Sequence, residues 1–247
     1  MTQRTLPAIG TSTYDVRIAE TPADREAALR LRFAVFNKEL GEGLERSYRT
    51  GRDEDPFDHQ CQHLLVIHRP SEEVIGTYRV QSAAVAEAGI GFYSAGEYHL
   101  EDLPSDLLSR SLELGRACIR SDHRNRHVLR LLWRGIAAIL FSEGHRYLFG
   151  CSSLTSQDPA AGRALWESFR RGGTLHPTHR VRAREGFACV GPPAVVAPRV
   201  PTLFSSYLRI GTKVVGEPAL DREFRTIDFL ILLDVEAMDP EILAAYR

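Results

Sequence analysis

From Leu112 to Leu140 the chain switches from the period of a strand to that of a helix across one short basic loop, and that junction restricts the folds open to it. Leu112 to Ile119 reads as a strand, with Leu112, Leu114, Ala117 and Ile119 as its apolar members. Arg120 to Arg126 is a polar turn, after which Val128, Leu129, Leu131, Leu132, Ile136, Ala137, Ile139 and Leu140 recur at helical spacing. Such a junction aims unpaired backbone N–H groups at the loop, and added arginines make it a reasonable anion site. Arg126, Arg130 and Arg134 are four apart and share a face, while the apolar side should pack on a sheet. A charged stripe on a surface helix is ordinarily just a solvated face. This one has no acidic partner four residues along, which leaves its charge available to a phosphate or an acidic protein.

Around this core the elements follow in order. Tyr14 to Ala19 is a first strand. Thr21-Pro22-Ala23-Asp24 opens a helix that runs to about Lys38 and ends at Gly41 and Gly43. Leu44 to His59 is polar, acidic and aperiodic, equally fit for a lid, a binding segment or a plain solvated loop. His63 to His68 and Val74 to Val80 form a hairpin, and Ala83 to Gly91 is small and irregular. Leu103 to Leu108 is a short helix, His145 to Leu154 a strand, and Pro159 opens a helix that Gly172-Gly173 stops. Residues 174 to 202 are rich in Pro, Arg and His and read as extended or edge chain rather than core. Pro201 to Ile210 is a short helix, Val214 to Pro218 a turn region, and Arg225 to Asp234 the strongest late strand. Strands outnumber helices and some neighbours are joined by hairpins. The expected fold is therefore α/β in the α+β sense, a mixed and mostly antiparallel central sheet flanked by helices. No GxGxxG follows the first strand, so a dinucleotide fold has little support. Residues 1–13 are expected as a flexible arm, and 14–247 as one domain with an elaboration over about 174–247.

Several residue types carry chemistry. Glu113 stands inside the central strand, where a carboxylate is either paired, with Arg116 or Arg79 at hand, or tuned to take a proton. Gly150-Cys151-Ser152-Ser153 ends a strand with small residues that let a narrow ligand lie against the backbone. Cys151 has no adjacent base in sequence. His176 with His179, and His59 with Cys61 and His63, lack the further ligand that zinc spacing needs, so no metal is expected. His123 and His127 lie in the basic loop and can hydrogen-bond a phosphate.

The 247 residues carry 31 basic and 32 acidic side chains, a formal net charge of -1, with 43% hydrophobic content. That balance argues against a dedicated nucleic-acid binder, and aromatic and basic residues do not interleave as a sheet platform would require. Cys61, Cys118, Cys151 and Cys189 are scattered without a CxxC, as buried thiols in a reducing compartment would be. No leader pattern is read at the N-terminus and no apolar run reaches membrane-span length. A cytoplasmic location is expected, with peripheral contact at the inner face of the membrane left open.

Taken together, Leu112-Glu-Leu-Gly-Arg116, Asp122-His-Arg-Asn-Arg126, Leu131-Leu-Trp-Arg-Gly-Ile136 and Tyr147-Leu-Phe-Gly-Cys-Ser152 resemble the ornithine N-acyltransferases that make lyso-ornithine lipid, within the GNAT-like superfamily. Arg30 to Phe36, Asp53 to Leu65, Gly76 to Arg79, Gly91 to Ser94, Leu203 to Ile210 and Phe224 to Leu233 extend the resemblance over roughly residues 14 to 235. It implies transfer of a (3-hydroxy) fatty acyl group from acyl carrier protein to the α-amino group of an amino acid, ornithine in the namesake family. It implies no bound cofactor, since the 4'-phosphopantetheine arm arrives on the carrier protein. Asp58 and Arg79 look like residues shared with the related acyl-homoserine-lactone and N-acyl amino acid synthases. Relatives that use acetyl-CoA usually carry glycines in the loop. Here Arg124-Asn-Arg-His-Val-Leu129 is bulky, which favours a carrier-bound donor with its single phosphate.

In the mechanism that the resemblance implies, Glu113 deprotonates the incoming ammonium, directly or through water. Backbone N–H groups near Ala117 or Cys118 hold the oxyanion. Arg120, Arg124, Asn125, Arg126, His127, Arg130 and Arg134 receive the carrier protein and its phosphopantetheine. Asp55, Asp58, Arg79 and Arg116 hold the amino acid. Phe92, Tyr93, Phe149, Cys151, Ser152 and Trp166 line an acyl channel, or several of them are simply core. Leu203, Phe204, Tyr207 and Leu208 are a candidate surface-seeking face. Glycine, another amino acid or a homoserine-lactone precursor stays open as the acceptor. From a different class, so does a non-catalytic module that binds carrier protein or a lipid surface.

Overall fold

The computed structural model describes residues 6–246. In chain order the strands are β1 Ile9–Gly10, β2 Tyr14–Ile18, β3 Gln62–His68, β4 Glu73–Ser82, β5 Ser111–Ile119, β6 Tyr147–Leu154, β7 Lys213–Val214, β8 Ala219–Asp221 and β9 Thr226–Asp234. The α-helices are α1 Pro22–Arg32, α2 Ser47–Thr50, α3 Ala83–Ala88, α4 Ser105–Ser109, α5 Arg126–Glu143, α6 Pro159–Arg171, α7 Thr202–Arg209 and α8 Pro240–Ala244. The fold is mixed α/β with largely antiparallel pairing and flanking helices, as the alternation of elements leads one to expect. By contacts the described residues form two compact units. One comprises residues 6–81, 114–145 and 243–246, the other 82–113 and 146–242; β5 begins in the second and ends in the first.

In the first unit β1, β2, β3 and β4 pair antiparallel in succession. Ile9–Gly10 lies inside the expected N-terminal arm. Ile9 is nevertheless buried and paired with Val16, so residues 9–10 are strand; positions 1–5 of that arm fall outside the described residues. α1 starts on a capping box in which the Thr21 hydroxyl accepts from the Asp24 amide and the Asp24 carboxylate accepts from the Thr21 amide. Asp24 also takes a bidentate ion pair from Arg17 at 2.5 and 2.8 Å. The helix continues through a π-helical stretch, Phe33–Glu39, to the position expected for its end. α5 begins at Asn125, whose side chain accepts from the His127 and Val128 amides, and ends on Gly144 in the left-handed conformation. Val128, Leu131, Leu132, Ile136, Ile139 and Leu140 are its buried stripe. Gly135 lets it come close to β3, since an added Cβ would stand 2.7 Å from both Leu64 methyls.

In the second unit Ser111, Leu112 and Glu113 pair in parallel with Tyr147, Leu148 and Phe149, and β6 pairs antiparallel with β9 along its whole length. β7 and β8 add to β9. Its core gathers Tyr98, Leu107, Phe149, Val181, Val215 and Leu230. Three expectations are corrected here. Ala83–Ala88 is a helix, capped by the Ser82 hydroxyl, rather than irregular chain. Val214, expected in a turn region, is instead strand with Lys213 because β9 offers it a ladder, as it does residues 219–221. Residues 174–202 contribute core after all: Leu175, Val181 and Cys189 are buried, with bridges from Leu175 to Val214 and from Val181 to Gly216.

Candidate active site

In the second unit the Glu113 carboxylate is buried and held from both sides. Its Oε1 accepts from the Ser94 amide at 2.8 Å and the Ser94 hydroxyl at 2.6 Å, and its Oε2 accepts from the Tyr93 amide at 2.8 Å. The donors come from the 3-10 turn Tyr93–Gly96. Tyr93 thus serves Glu113 with its backbone, a role its aromatic ring did not announce. Phe92 meets Phe149 edge to face with ring centroids 5.0 Å apart, and both pack with Cys151 in one apolar cluster. Trp166 is buried on α6 and Ser152 on β6, neither of them in that cluster.

Glu97, Cys151 and Asp228 bring their side-chain ligand atoms within 4.8 Å of one another. Burial, and then the fields of Glu97, Asp228 and Glu113, push the Cys151 thiol well above its ordinary range. A nucleophilic thiolate is therefore disfavoured there. The same negative field suits a cation. Glu97 and Asp228 were not singled out in the sequence, because nothing local distinguishes a carboxylate that a sheet register places beside a cysteine.

In the first unit the residues expected to hold the amino acid, Asp55, Asp58, Arg79 and Arg116, belong to an ionic network. Arg32 Nε donates to Asp53 at 2.7 Å, and its two terminal nitrogens donate to Asp58 at 2.6 and 3.0 Å. Arg79 Nη1 donates to Asp55 at 2.6 Å and to Asp58 at 3.1 Å, and Arg116 Nη2 donates to Asp55 at 3.0 Å. Arg32, Asp53 and Asp58 are fully buried. Asp55 and Asp58 also form a capping box on the turn Pro56–His59. Both Asp58 oxygens are thus taken by protein donors, and Asp58 holds Arg32 and Arg79. Burial alone would raise Asp58, but Arg32 and then Arg79 hold it well below the usual carboxylate range. Arg79 and Arg116, two candidate partners for Glu113, are ion-paired to these aspartates. The acidic stretch before residue 59 is accordingly neither lid nor solvated loop, since three of its carboxylates are buried. Arg32 and Asp53 went unrecognised because an arginine on a helix and an aspartate in an aperiodic loop carry no mark of burial. Arg116 has a φ of 50°, a left-handed conformation rare for a side chain of this size, within β5.

Cys118 is buried beside Leu31 and Val35, and burial pushes its thiol up to about 12, so only its backbone is available to chemistry. Past β5, Arg120 pairs with Glu73 and Asp122, and Arg124 grips Glu39 with two nitrogens while reaching the Ile119 carbonyl. These two arginines and the capping Asn125 thus make contacts within the protein itself. Arg126 and His127 are exposed, and Arg126, Arg130 and Arg134 form no ion pair among the described residues; Arg130 donates to the Ala245 carbonyl. His123 Nδ1 is 2.9 Å from the Tyr14 hydroxyl, and its ring lies 4.7 Å from that of His68.

Residues 31–134 match the Acetyltransferase (GNAT) domain family. Over 257 aligned residues the chain is 32% identical to an L-ornithine N(alpha)-acyltransferase of Brucella abortus, covering 95% of this chain and 89% of that protein. It is 34% identical to another of Rhodobacter capsulatus, covering 92% of each. The chain belongs to the L-ornithine N(alpha)-acyltransferase family. Among solved structures, the acyl-homoserine-lactone synthase LasI shares the fold, with a TM-score of 0.51 at 13% identity over 94% of this chain and 95% of that one.

The chain has a fixed carboxylate on β5 and a basic helix after that strand. His176 and His179 stack at 4.6 Å, and burial, then His179 and Arg180, lowers His176 to about 4. The expected surface-seeking face on α7 is corrected, because Phe204 and Tyr207 are buried; Phe204 lies against Phe169 and Phe229.

Proposed function

We infer that this protein transfers a (3-hydroxy) fatty acyl group from acyl carrier protein to the α-amino group of ornithine, giving lyso-ornithine lipid. Family membership over nearly the whole chain carries the inference, and the Glu113 cradle supplies its chemistry. The donor is an acyl thioester and the acceptor a small-molecule amine. The ammonium gives a proton to Glu113, directly or through one water, and the freed lone pair attacks the thioester carbonyl. The tetrahedral intermediate collapses, the C–S bond breaks, and the phosphopantetheine sulfur leaves and takes up a proton. Backbone amides near Ala117 and Cys118 are our candidates for the oxyanion donors, a contribution of about 3 kcal/mol in comparable sites. Three donors keep the Glu113 oxygens in place, so little reorganisation is needed at the moment of transfer.

A carrier-bound donor is supported by the bulky Arg124–Leu129 stretch and by the unpaired cations of α5, which suit an acidic carrier surface. Ornithine brings a second ammonium. The negative field of Glu97 and Asp228 supports an acceptor of that charge over glycine.

The test is incubation with 3-hydroxyacyl carrier protein and, separately, ornithine, lysine, glycine, glutamine and a homoserine-lactone precursor, read by mass spectrometry. The expected product is hydroxyacyl-ornithine, falling about 100-fold or more with Glu113→Gln. Asp228→Asn is expected to raise KM for ornithine more than for glycine. An amide formed only with another amine moves the substrate and keeps the mechanism. Carrier binding without any amide refutes the enzyme reading.

A further inference from the structure

The strongest unexplained feature outside the site is a basic, apolar run in the second unit. Between Ser168 and Gly216 the chain carries eight Lys and Arg against a single acid, Glu185, inside a protein whose formal net charge is -1. Three of those cations are spent on Glu167, Asp102 and Glu101. Arg171, Arg180, Arg199, Arg209 and Lys213 form no ion pair among the described residues. In the middle of this run, the loop between Cys189 and α7 turns apolar side chains outward. Val195 is 103% exposed, Val196 78% and Val190 76%, with Leu203 behind them at 36%.

This loop is held in place. The Cys189 amide donates to the Pro218 carbonyl at 3.1 Å, and the Ala194 amide to the Ala160 carbonyl at 2.9 Å at the start of α6. Pro192, Pro193, Pro198 and Pro201 restrict it further. The chain then enters α7, which packs on α6 through Phe204 and Phe169 and ends at Arg209. Lys213 Nζ lies 3.2 Å from the Gly173 carbonyl, just past the end of α6 at Arg171. The apolar tip thus lies at the N-terminal end of α6, with Arg199 following it in sequence before α7, whereas Arg171 and Lys213 stand at the C-terminal end of α6. Three exposed valines would otherwise cost solubility.

We propose that the loop Val190–Val196, with Leu203 and the flanking cations, is a docking surface for an anionic lipid bilayer. The valines enter the interfacial region while Arg199, three residues past Val196, and Arg209, at the end of α7, face the headgroups. On the reading above the product is a single-chain amphiphile, and this surface lets it pass to lipid instead of water. An acidic protein is the lesser fit, because it would match the cations and leave the valines in water.

The experiment is co-sedimentation of the full chain with vesicles of phosphatidylcholine alone and of phosphatidylcholine mixed with phosphatidylglycerol. Binding is expected to the anionic vesicles and to weaken with salt. A triple variant, Val190→Ser, Val195→Ser and Val196→Ser, should lose about tenfold or more in partitioning. Each of Arg199→Gln and Arg209→Gln should lose about fivefold. All these positions are on the surface, so the thermal midpoint should stay put and verify the fold. In addition, Val196→Trp should show a blue-shifted emission with anionic vesicles only. Equal binding of wild type and the triple variant, or none by either, overturns the proposal. So does a wild-type dimer that the triple variant abolishes, or a loss of carrier-protein binding in that variant. Amide synthesis in detergent is read in parallel, so failure of the lipid surface and failure of the enzyme assignment give different results.

Discussion

Arg32 shows how much one residue can organise. Its guanidinium pairs with two aspartates that are wholly removed from water, and one of them also orients Arg79. Such a pair is maintained by mutual satisfaction and not by net gain, so its removal is far more costly than its presence is beneficial. Arg32→Met leaves Asp53 and Asp58 buried without that cation and should cost about 3–5 kcal/mol. For a chain of this size that is a fall of about 10 °C in the thermal midpoint, checked by calorimetry. Glu113 is a different kind of residue. Its three donors fall on two oxygens and a glutamine accepts on only one of them, so Glu113→Gln leaves either the Tyr93 amide or the Ser94 pair facing an NH2 group; it should remove activity and cost about 1–3 kcal/mol of stability. A larger loss of stability in that variant would turn the carboxylate into a structural element.

At the scale of elements, α5 unites packing with charge. Its buried stripe and Gly135 fix it against β3, and Arg126, Arg130 and Arg134 are left without ion pairs among the described residues. Reversing two of these charges, Arg126→Glu with Arg134→Glu, should raise KM for acyl carrier protein about tenfold with kcat nearly unchanged. The effect should shrink at high salt, when the wild type loses the same attraction. A fall in kcat at constant KM would instead place these side chains at the chemistry. β5 matters in another way. It presents a carboxylate in the second unit and, with Arg116 in the left-handed region, interrupts its own regular geometry in the first.

The whole molecule should lose stability in acid for a reason that can be assigned. Burial lowers His63 from 6.5 to about 4, with the field of Asp58 only partly offsetting it. The unfolded imidazole therefore takes a proton that the folded one refuses. Stability is full above pH about 6.5, declines as pH falls, and by pH about 4 has lost about 3 kcal/mol through this group. Asp58 and Asp55, both held low, add a further loss at still lower pH as their folded forms are forced to protonate. Urea midpoints measured from pH 7 down to pH 4 should decrease steadily, with a shallower slope in His63→Gln. A flat profile would mean that His63 does not stay neutral.

Local order was legible because it obeys local rules. The strand-to-helix switch at residues 112–140, the Thr21 capping box and the hairpin of β3 and β4 all appear where period and capping chemistry put them, within a few residues. The family, too, was readable from short motifs spread over most of the chain, and so was the carboxylate at position 113. What partners a charge depends on neighbours far away in sequence. Hence the ion pairs that join Asp55, Asp58 and Arg79 to Arg32 were not legible. Phe204 and Tyr207 read as surface although both are buried, Phe204 against Phe169 on α6 and Phe229 on β9, and the valines that do face outward went unnoticed. Sequence by itself determined periodicity, caps and residue chemistry, since these act across a few bonds. Only tertiary structure decided which charges are neutralised and which apolar groups meet water, because desolvation and Coulomb energy depend on distances that the chain acquires on folding.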